Sequence, residues 1–88
     1  MGLESVELVM AWEEHFGIEI PTERAAEWLT PRLAIEDIAH LAQLKPEGRS
    51  WTREEIERDV CEIIVEQLGI ARSSFTLDSH FIRDMGVG

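Results

Sequence analysis

Two short stretches of this 88-residue chain contain side chains that could do chemistry. Asp78, Ser79 and His80 are the residue types of a hydrolytic triad, in which an acid orients a base that activates a hydroxyl. Triad members normally meet in space from distant positions, so three adjacent residues predict a turn or a helix cap instead. The second candidate is the hydroxyl of Ser5, at the start of an amphipathic segment.

Metal-binding and redox chemistry have little support in the sequence. His15, His40 and His80 lack a nearby His, Cys or repeated acid at ligand spacing, so no zinc site is predicted. The single Cys61 cannot form an internal disulfide, and its position beside an apolar stripe predicts a small buried residue. No set of acid, base and nucleophile converges, and we therefore predict neither a metal site nor an enzyme.

Charge narrows the possible partners. Eighteen acidic residues stand against eight basic ones, giving a formal net charge of −10. This balance argues against nucleic acid or an anionic membrane and favours basic protein surfaces. The chain has neither an apolar run of membrane-spanning length nor an export signal at its start. We predict one cytoplasmic, monomeric domain over residues 1–88.

The elements that would position Ser5 are helical. Apolar residues at three- and four-residue spacing predict a helix over 5–16, stopped by Gly17 and followed by an extended connector at 18–21. Thr22 resembles the N-cap of a short helix reaching about Leu29. The next helix is expected to start at Thr30-Pro31 and to bury a stripe formed by Ile35, Ile38, Leu41 and Ala42.

The second half begins after a polar linker at 45–50. Thr52 and Glu55 fit a capping box, with Trp51 as part of a hydrophobic staple, so a helix is predicted over 52–68. Gly69 stops it, and a long loop follows, with a helical turn near 79–85. Four helices without strand alternation predict an all-α four-helix bundle.

Several of these segments resemble acyl carrier proteins, which bind phosphopantetheine. VELVMAWEEHFGIEIP, at 6–21, is similar to the family's helix II, and FIRDMG, at 81–86, looks like the approach to its carrier serine. The EQLG ending at 66–69 resembles helix I. The order is circularly permuted: 1–44 resembles helices II to IV, and 51–88 resembles helix I with the loop after it. The resemblance implies an acyl-carrier-like bundle.

The resemblance also implies a function. The family tethers an acyl group as a thioester on 4′-phosphopantetheine, in pathways such as fatty acid biosynthesis and lipid metabolism. A phosphopantetheinyl transferase attaches this cofactor to a serine at the start of helix II. The family spacing puts that serine on Gly2, and Ser5 lies one turn further in, about 4.5 Å along the axis. Ser5 is therefore the expected attachment site. Partner enzymes with basic docking surfaces would read an acidic face containing Glu4, Glu7, Glu13 and Glu14.

Alternatives remain open from the sequence. Ser5 could be an unmodified N-cap, which would make the chain a protein-interaction module that has lost its prosthetic group. Two chains could also exchange halves. If one chain is a permuted carrier, the helix at 52–68 should pack beside the one at 5–16, and Gly88 should lie near Gly2. Trp12 would then be a candidate to border an acyl cavity.

Overall fold

The computed structural model describes residues 3–43 and 51–87, and within these ranges every regular element is helical. The four α-helices are α1 (Leu3–Phe16), α2 (Thr22–Ala25), α3 (Pro31–Gln43) and α4 (Arg53–Leu68). A 3-10 turn, Arg72–Ser74, lies in the segment after α4 and was not predicted. The prediction of an all-α chain is confirmed over the described residues, while the predicted linker at 45–50 lies outside them.

Helix α1 begins earlier than the sequence pattern suggested. It starts at Leu3, two residues before the predicted start at Ser5, because neither Leu3 nor Glu4 opposes helix formation. Ser5 is thus inside the first turn and is not the N-cap. Two residues one helical turn apart, Leu8 and Trp12, are 3% and 1% exposed, so this face of α1 packs into the bundle.

The end of α1 follows the prediction. Gly17 has a φ of 63°, the left-handed conformation that glycine adopts without a Cβ penalty. The N–H of Ile18 donates to the carbonyl of Glu13 at 3.2 Å, which closes the final turn. The connector that follows contains no helix or strand, and it buries Ile18 and Ile20.

Helix α2 is shorter than predicted and is capped differently. It ends at Ala25 instead of Leu29, and Thr22 is not its N-cap, because Pro21 occupies that position without a side-chain cap. Beyond Ala25 the backbone tightens into turns, and the N–H of Trp28 donates to the Ala25 carbonyl three residues back. The indole N–H of Trp28 donates a hydrogen bond to Asp37 of α3, so a tertiary contact decides the conformation of this segment.

Helix α3 begins as predicted. Pro31 is its first residue, where the missing N–H costs nothing, and the Leu33 N–H donates to the Thr30 hydroxyl at 3.4 Å. Of the predicted stripe, Ile35 and Ile38 are buried, and Leu41 and Ala42 are partly buried against the core. The periodic pattern therefore identified the inward face correctly.

Helix α4 contains the clearest local signals. The Thr52 hydroxyl accepts from the Glu55 N–H, and the Glu55 carboxylate accepts from the Thr52 N–H, both at 3.1 Å. This is the predicted capping box. At the other end Gly69 has a φ of 65°, and its N–H donates to Val65. The buried face of the helix consists of Ile56, Asp59, Val60, Cys61, Ile63 and Ile64.

The segment after α4 runs back across the bundle and is attached to it by two backbone hydrogen bonds. The Arg32 N–H donates to the Leu77 carbonyl, and the Phe81 N–H donates to the Leu29 carbonyl, both at 2.9 Å. The predicted turn near 79–85 is confirmed by two N–H groups, of Asp84 and Met85, that donate to the carbonyl of His80.

The predicted packing of the first helix against the last is confirmed. The Trp12 indole donates to the Val60 carbonyl at 3.4 Å, which joins α1 to α4. The expected approach of Gly88 to Gly2 lies outside the described residues. Nevertheless, Ser5 and Val87 line one cavity, so the first and last described segments lie side by side. Among the described helices, none combines the length and apolar content needed to cross a membrane.

Candidate functional site

The predicted attachment residue, Ser5, lies in the first turn of α1 and is partly exposed. The first turn of a helix contains N–H groups without an acceptor in the helix itself, together with the positive end of the helix dipole, and both favour a negatively charged group. Two other predicted positions, Gly2 and the side chain of Glu4, lie outside the described part of the chain. The helix itself therefore contributes to the electrostatic setting of Ser5.

Ser5 borders a cavity of about 80 Å³. Its walls come from α1, from the segment around α2 and from the turn near the end of the chain. The lining residues are Ser5, Leu8, Val9, Trp12, Ala25, Ala26, Trp28, Leu29, His80, Phe81, Ile82 and Val87. Apolar side chains dominate this set, so the hydroxyl of a candidate attachment site lies beside a small apolar space. Trp12, which the sequence offered as a candidate to border an acyl cavity, is among the lining residues.

The outer face of α1 is acidic, with apolar side chains between the acids. Glu7 and Glu14 are exposed, and so are Val6 and Met10, at 40% and 58%. Glu13 has a structural task, because its carboxylate accepts the N–H of Ile20 at 2.9 Å and so holds the connector. Of the acids predicted to contact partners, Glu7 and Glu14 are the two whose described side chains point to solvent.

Asp37 fixes the wall of the cavity that contains Trp28. Its carboxylate accepts the Trp28 indole N–H at 2.8 Å and two donors of Arg24, at 2.6 and 3.1 Å. The hydrogen bond from Arg24 holds the pKa of this carboxyl below its usual value, with burial opposing and Trp28 assisting. Asp37 thus links α2, the turn after it and α3 at one point.

A second polar cluster lies between α1 and α4. Asp59 is 7% exposed, and its carboxylate contacts His15 Nε2 at 2.9 Å and Arg58 Nε at 3.0 Å. Burial raises the pKa of Asp59, but the hydrogen bonds from His15 and Arg58 outweigh burial and lower it overall. The His15 ring also packs against Trp51, with centroids 5.6 Å apart. This cluster joins the two halves of the chain, and the sequence analysis missed it.

Asp78, Ser79 and His80 form a turn and not a triad, as predicted. The Ser79 hydroxyl accepts the Thr76 N–H at 2.8 Å, and the Asp78 carboxylate pairs with Arg32 at 2.8 and 3.1 Å. His80 Nδ1 accepts the backbone N–H groups of the two residues at 82–83. Ser79 and His80 therefore have local structural partners, and Asp78 is paired with a residue of α3.

Other candidate chemistry has no support in the described ranges, 3–43 and 51–87. These residues contain no group of three or more His, Cys, Asp and Glu side chains that could hold a metal ion. Cys61 is a free cysteine that is 3% exposed, and burial raises the pKa of its thiol. A thiol in this setting is a poor nucleophile and a small core residue.

Comparison with known proteins does not assign a family. No family model matches the sequence, and no solved structure matches the chain. The likeness to acyl carrier proteins therefore remains a resemblance between sequence segments. The class that the structure does define is a small all-helical bundle with an acidic surface helix and an adjoining apolar cavity.

The far wall of the cavity was missed from the sequence. Phe81 and Val87 are 7% and 4% exposed, although they lie in a segment that the pattern predicted only as a loop with one turn. A usable signal was present, because residues 81–87 include four apolar side chains, Phe81, Ile82, Met85 and Val87, which is more than a solvated loop requires.

Proposed function

We propose that this chain is an acyl-carrier-like domain that is modified with 4′-phosphopantetheine on Ser5. The observation that carries the proposal is the position of Ser5, in the first turn of an acidic helix and at the border of an apolar cavity. The permuted order of helices, a monomeric state and a cytoplasmic location belong to the same proposal.

The residues around Ser5 suit this role. A phosphodiester on its hydroxyl would lie near the N-terminus of α1, where backbone N–H groups and the helix dipole favour negative charge. When bound, the cofactor supplies the thiol that holds an acyl group as a thioester. The apolar walls of the cavity, among them Leu8 and Trp12, offer such a group shelter from water.

Partner enzymes would contact the exposed face of α1. Glu7 and Glu14 provide negative charge, and the exposed apolar side chains of Val6 and Met10 lie beside them on the same helix. This combination suits a basic surface that also has an apolar patch, because charge steers the encounter and apolar burial holds the complex. The net charge of −10 extends the same attraction over the whole molecule.

Intact mass measurement tests the modification. The purified protein is incubated with coenzyme A and a broad-specificity phosphopantetheinyl transferase, and one added phosphopantetheine is expected. Ser5→Ala should abolish the addition. The matched control is Ser73→Ala, an exposed serine in the 3-10 turn, which should leave it unchanged. Absence of an adduct, or an adduct that survives Ser5→Ala, contradicts the proposal.

A second candidate function is an unmodified protein-interaction module. It is favoured by the absence of a hydroxyl at Gly2, where the family resemblance places the attachment serine, and by the partial burial of Ser5. In that case a basic partner should bind in a salt-sensitive manner. Glu7→Lys with Glu14→Lys should weaken this binding, Ser5→Ala should not, and Glu62→Lys on the exposed side of α4 provides the control.

A further inference from the structure

The cavity beside Ser5 has aromatic walls that meet one another. The Trp12 ring lies 5.9 Å from the Trp28 ring and 6.2 Å from the Phe81 ring, measured between centroids, in tilted arrangements. Such ring pairs are favourable contacts beyond the area that they bury. The three rings are 1%, 8% and 7% exposed, so they close the inner side of the cavity.

These walls present carbon atoms to the space. The indole N–H of Trp12 donates to the Val60 carbonyl, and that of Trp28 donates to Asp37, so neither donor is available to a ligand. Among the other lining residues, Ser5 and His80 are the two with polar side chains. The cavity is therefore suited to an apolar group whose one polar end lies toward Ser5.

The volume of the cavity limits the size of the group that it can hold. The volume is about 80 Å³, whereas an apolar cavity of about 150 Å³ is known to accept benzene. The space is therefore about half the size of one that accepts the six carbons of benzene, which corresponds to about three or four carbon atoms. It is too small for an aromatic ring or a medium-length chain, and it matches the end of a short aliphatic chain.

To admit a longer group, the wall formed by Phe81 and Val87 would have to move, and backbone hydrogen bonds hold this wall in place. The Phe81 N–H donates to the Leu29 carbonyl, and the Val87 N–H donates to the Phe81 carbonyl, both at 2.9 Å. Between them Gly86 has a φ of 68°, which allows the chain to turn back on itself. Enlarging the cavity on this side would break these hydrogen bonds.

We propose that this cavity restricts the carried group to a short aliphatic acyl chain of about four carbons or fewer, and that Trp12 and Phe81 set the limit. The inference rests on the proposed carrier function and adds the class of cargo to it. Longer or aromatic acyl groups stay outside the cavity, because the rings that close it are fixed by contacts elsewhere in the bundle.

Loading the protein with different acyl groups tests the limit. The transferase is supplied with acetyl-, butyryl-, octanoyl- or benzoyl-coenzyme A, and thermal unfolding and tryptophan fluorescence are recorded for each product. Butyryl should raise the midpoint of thermal unfolding by about 6–13 °C relative to acetyl, since it buries two more methylenes and each contributes to stability. Octanoyl and benzoyl groups should not raise the unfolding midpoint more than butyryl does. A larger rise with octanoyl, or no response of midpoint and fluorescence to butyryl, overturns the inference.

Enlarging the cavity should change which acyl group stabilises the protein most. Leu8→Ala removes a buried side chain from the lining, and octanoyl should then raise the midpoint more than it does in the unaltered protein. Leu33→Ala is the control, because Leu33 is 41% exposed on α3 and does not line the cavity. If Leu8→Ala does not fold, Phe81→Leu serves the same purpose from the opposite wall. An unchanged preference in the folded variant contradicts the assignment of these walls.

A free-ligand experiment separates this inference from the carrier function. The Ser5→Ala protein, which cannot be modified at this site, is exposed to xenon or to benzene, and the indole signals of Trp12 and Trp28 are followed by NMR. Xenon should shift these signals and benzene should not. Failure of all loading reactions contradicts the carrier function, whereas shifts with benzene as large as those with xenon contradict the size limit.

Discussion

A larger side chain on the wall of the cavity beside Ser5 tests whether this space is unfilled. The space has a volume of about 80 Å³ and mainly apolar walls, so a slightly larger side chain on one wall should bury additional apolar surface. Val9 lines the cavity and is partly buried on α1. Val9→Ile adds one methylene without changing the β-branched shape, so the helix should tolerate it.

The expected gain follows from that methylene. Burying it contributes about 0.8 kcal/mol, which for a domain of this length corresponds to a rise of about 3–6 °C in the unfolding midpoint. Thermal and urea unfolding, followed by far-UV circular dichroism, measure this gain. Because the added methylene occupies the proposed ligand space, Val9→Ile should also reduce the stabilisation by a butyryl group.

A matched substitution controls for helix propensity. Val6→Ile makes the same change on the same helix, at a position that is 40% exposed and does not line the cavity. Its effect should stay within about 0.5 kcal/mol, as is usual for surface substitutions. If Val9→Ile lowers the midpoint, or raises it no more than Val6→Ile does, the cavity is not an available space and the reasoning about its size is refuted.

Three further predictions concern how the two halves of the chain hold together. A double-mutant cycle of His15→Ala and Asp59→Ala should give a coupling free energy of about 1–2 kcal/mol in urea unfolding. This coupling is smaller than that of a fully buried pair, because 42% of the His15 side chain is exposed. A coupling of zero would show that the contact adds nothing to stability. The lowered pKa values of Asp37 and Asp59 imply a stabilisation that is complete above the ordinary Asp pKa of about 3.9 and is lost as the pH falls through the lower folded values. Unfolding free energies measured between pH 6 and 2.5 should therefore fall at the acidic end, less steeply in Asp37→Asn, and a flat profile would contradict this. Finally, a reordered chain with residues 51–88 placed before residues 2–50 should show the same helical spectrum and at least equal stability, whereas an unfolded product would count against the permuted arrangement.

Local signals in the sequence predicted the ends of two helices well. The capping box of Thr52 and Glu55 and the stop at Gly69 both depend on residues within one turn of the helix end, so neighbouring residues suffice to specify them. The start at Pro31 is of the same kind. Such features form wherever these residues occur together, independent of the remaining fold.

Two of the errors occurred where distant residues decide the conformation. Helix α2 ends at Ala25 because Trp28, three residues further on, is hydrogen-bonded to Asp37 on another helix. No local pattern encodes that hydrogen bond. Likewise, the buried pairing of His15 with Asp59 joins positions 44 residues apart. Helical periodicity marks which face is apolar, but it does not state which partner covers that face.

By itself, the sequence determined the class of this protein and its charged surface. Helical spacing, caps and stops specify the elements, and eighteen acids against eight bases specify an acidic molecule, because both properties follow from residue types and short-range spacing. Only the tertiary structure decided what surrounds Ser5. Trp12 and Phe81 come together from positions nearly seventy residues apart to wall a cavity of about 80 Å³ beside it, and the volume of such a space depends on how side chains from several segments pack at once.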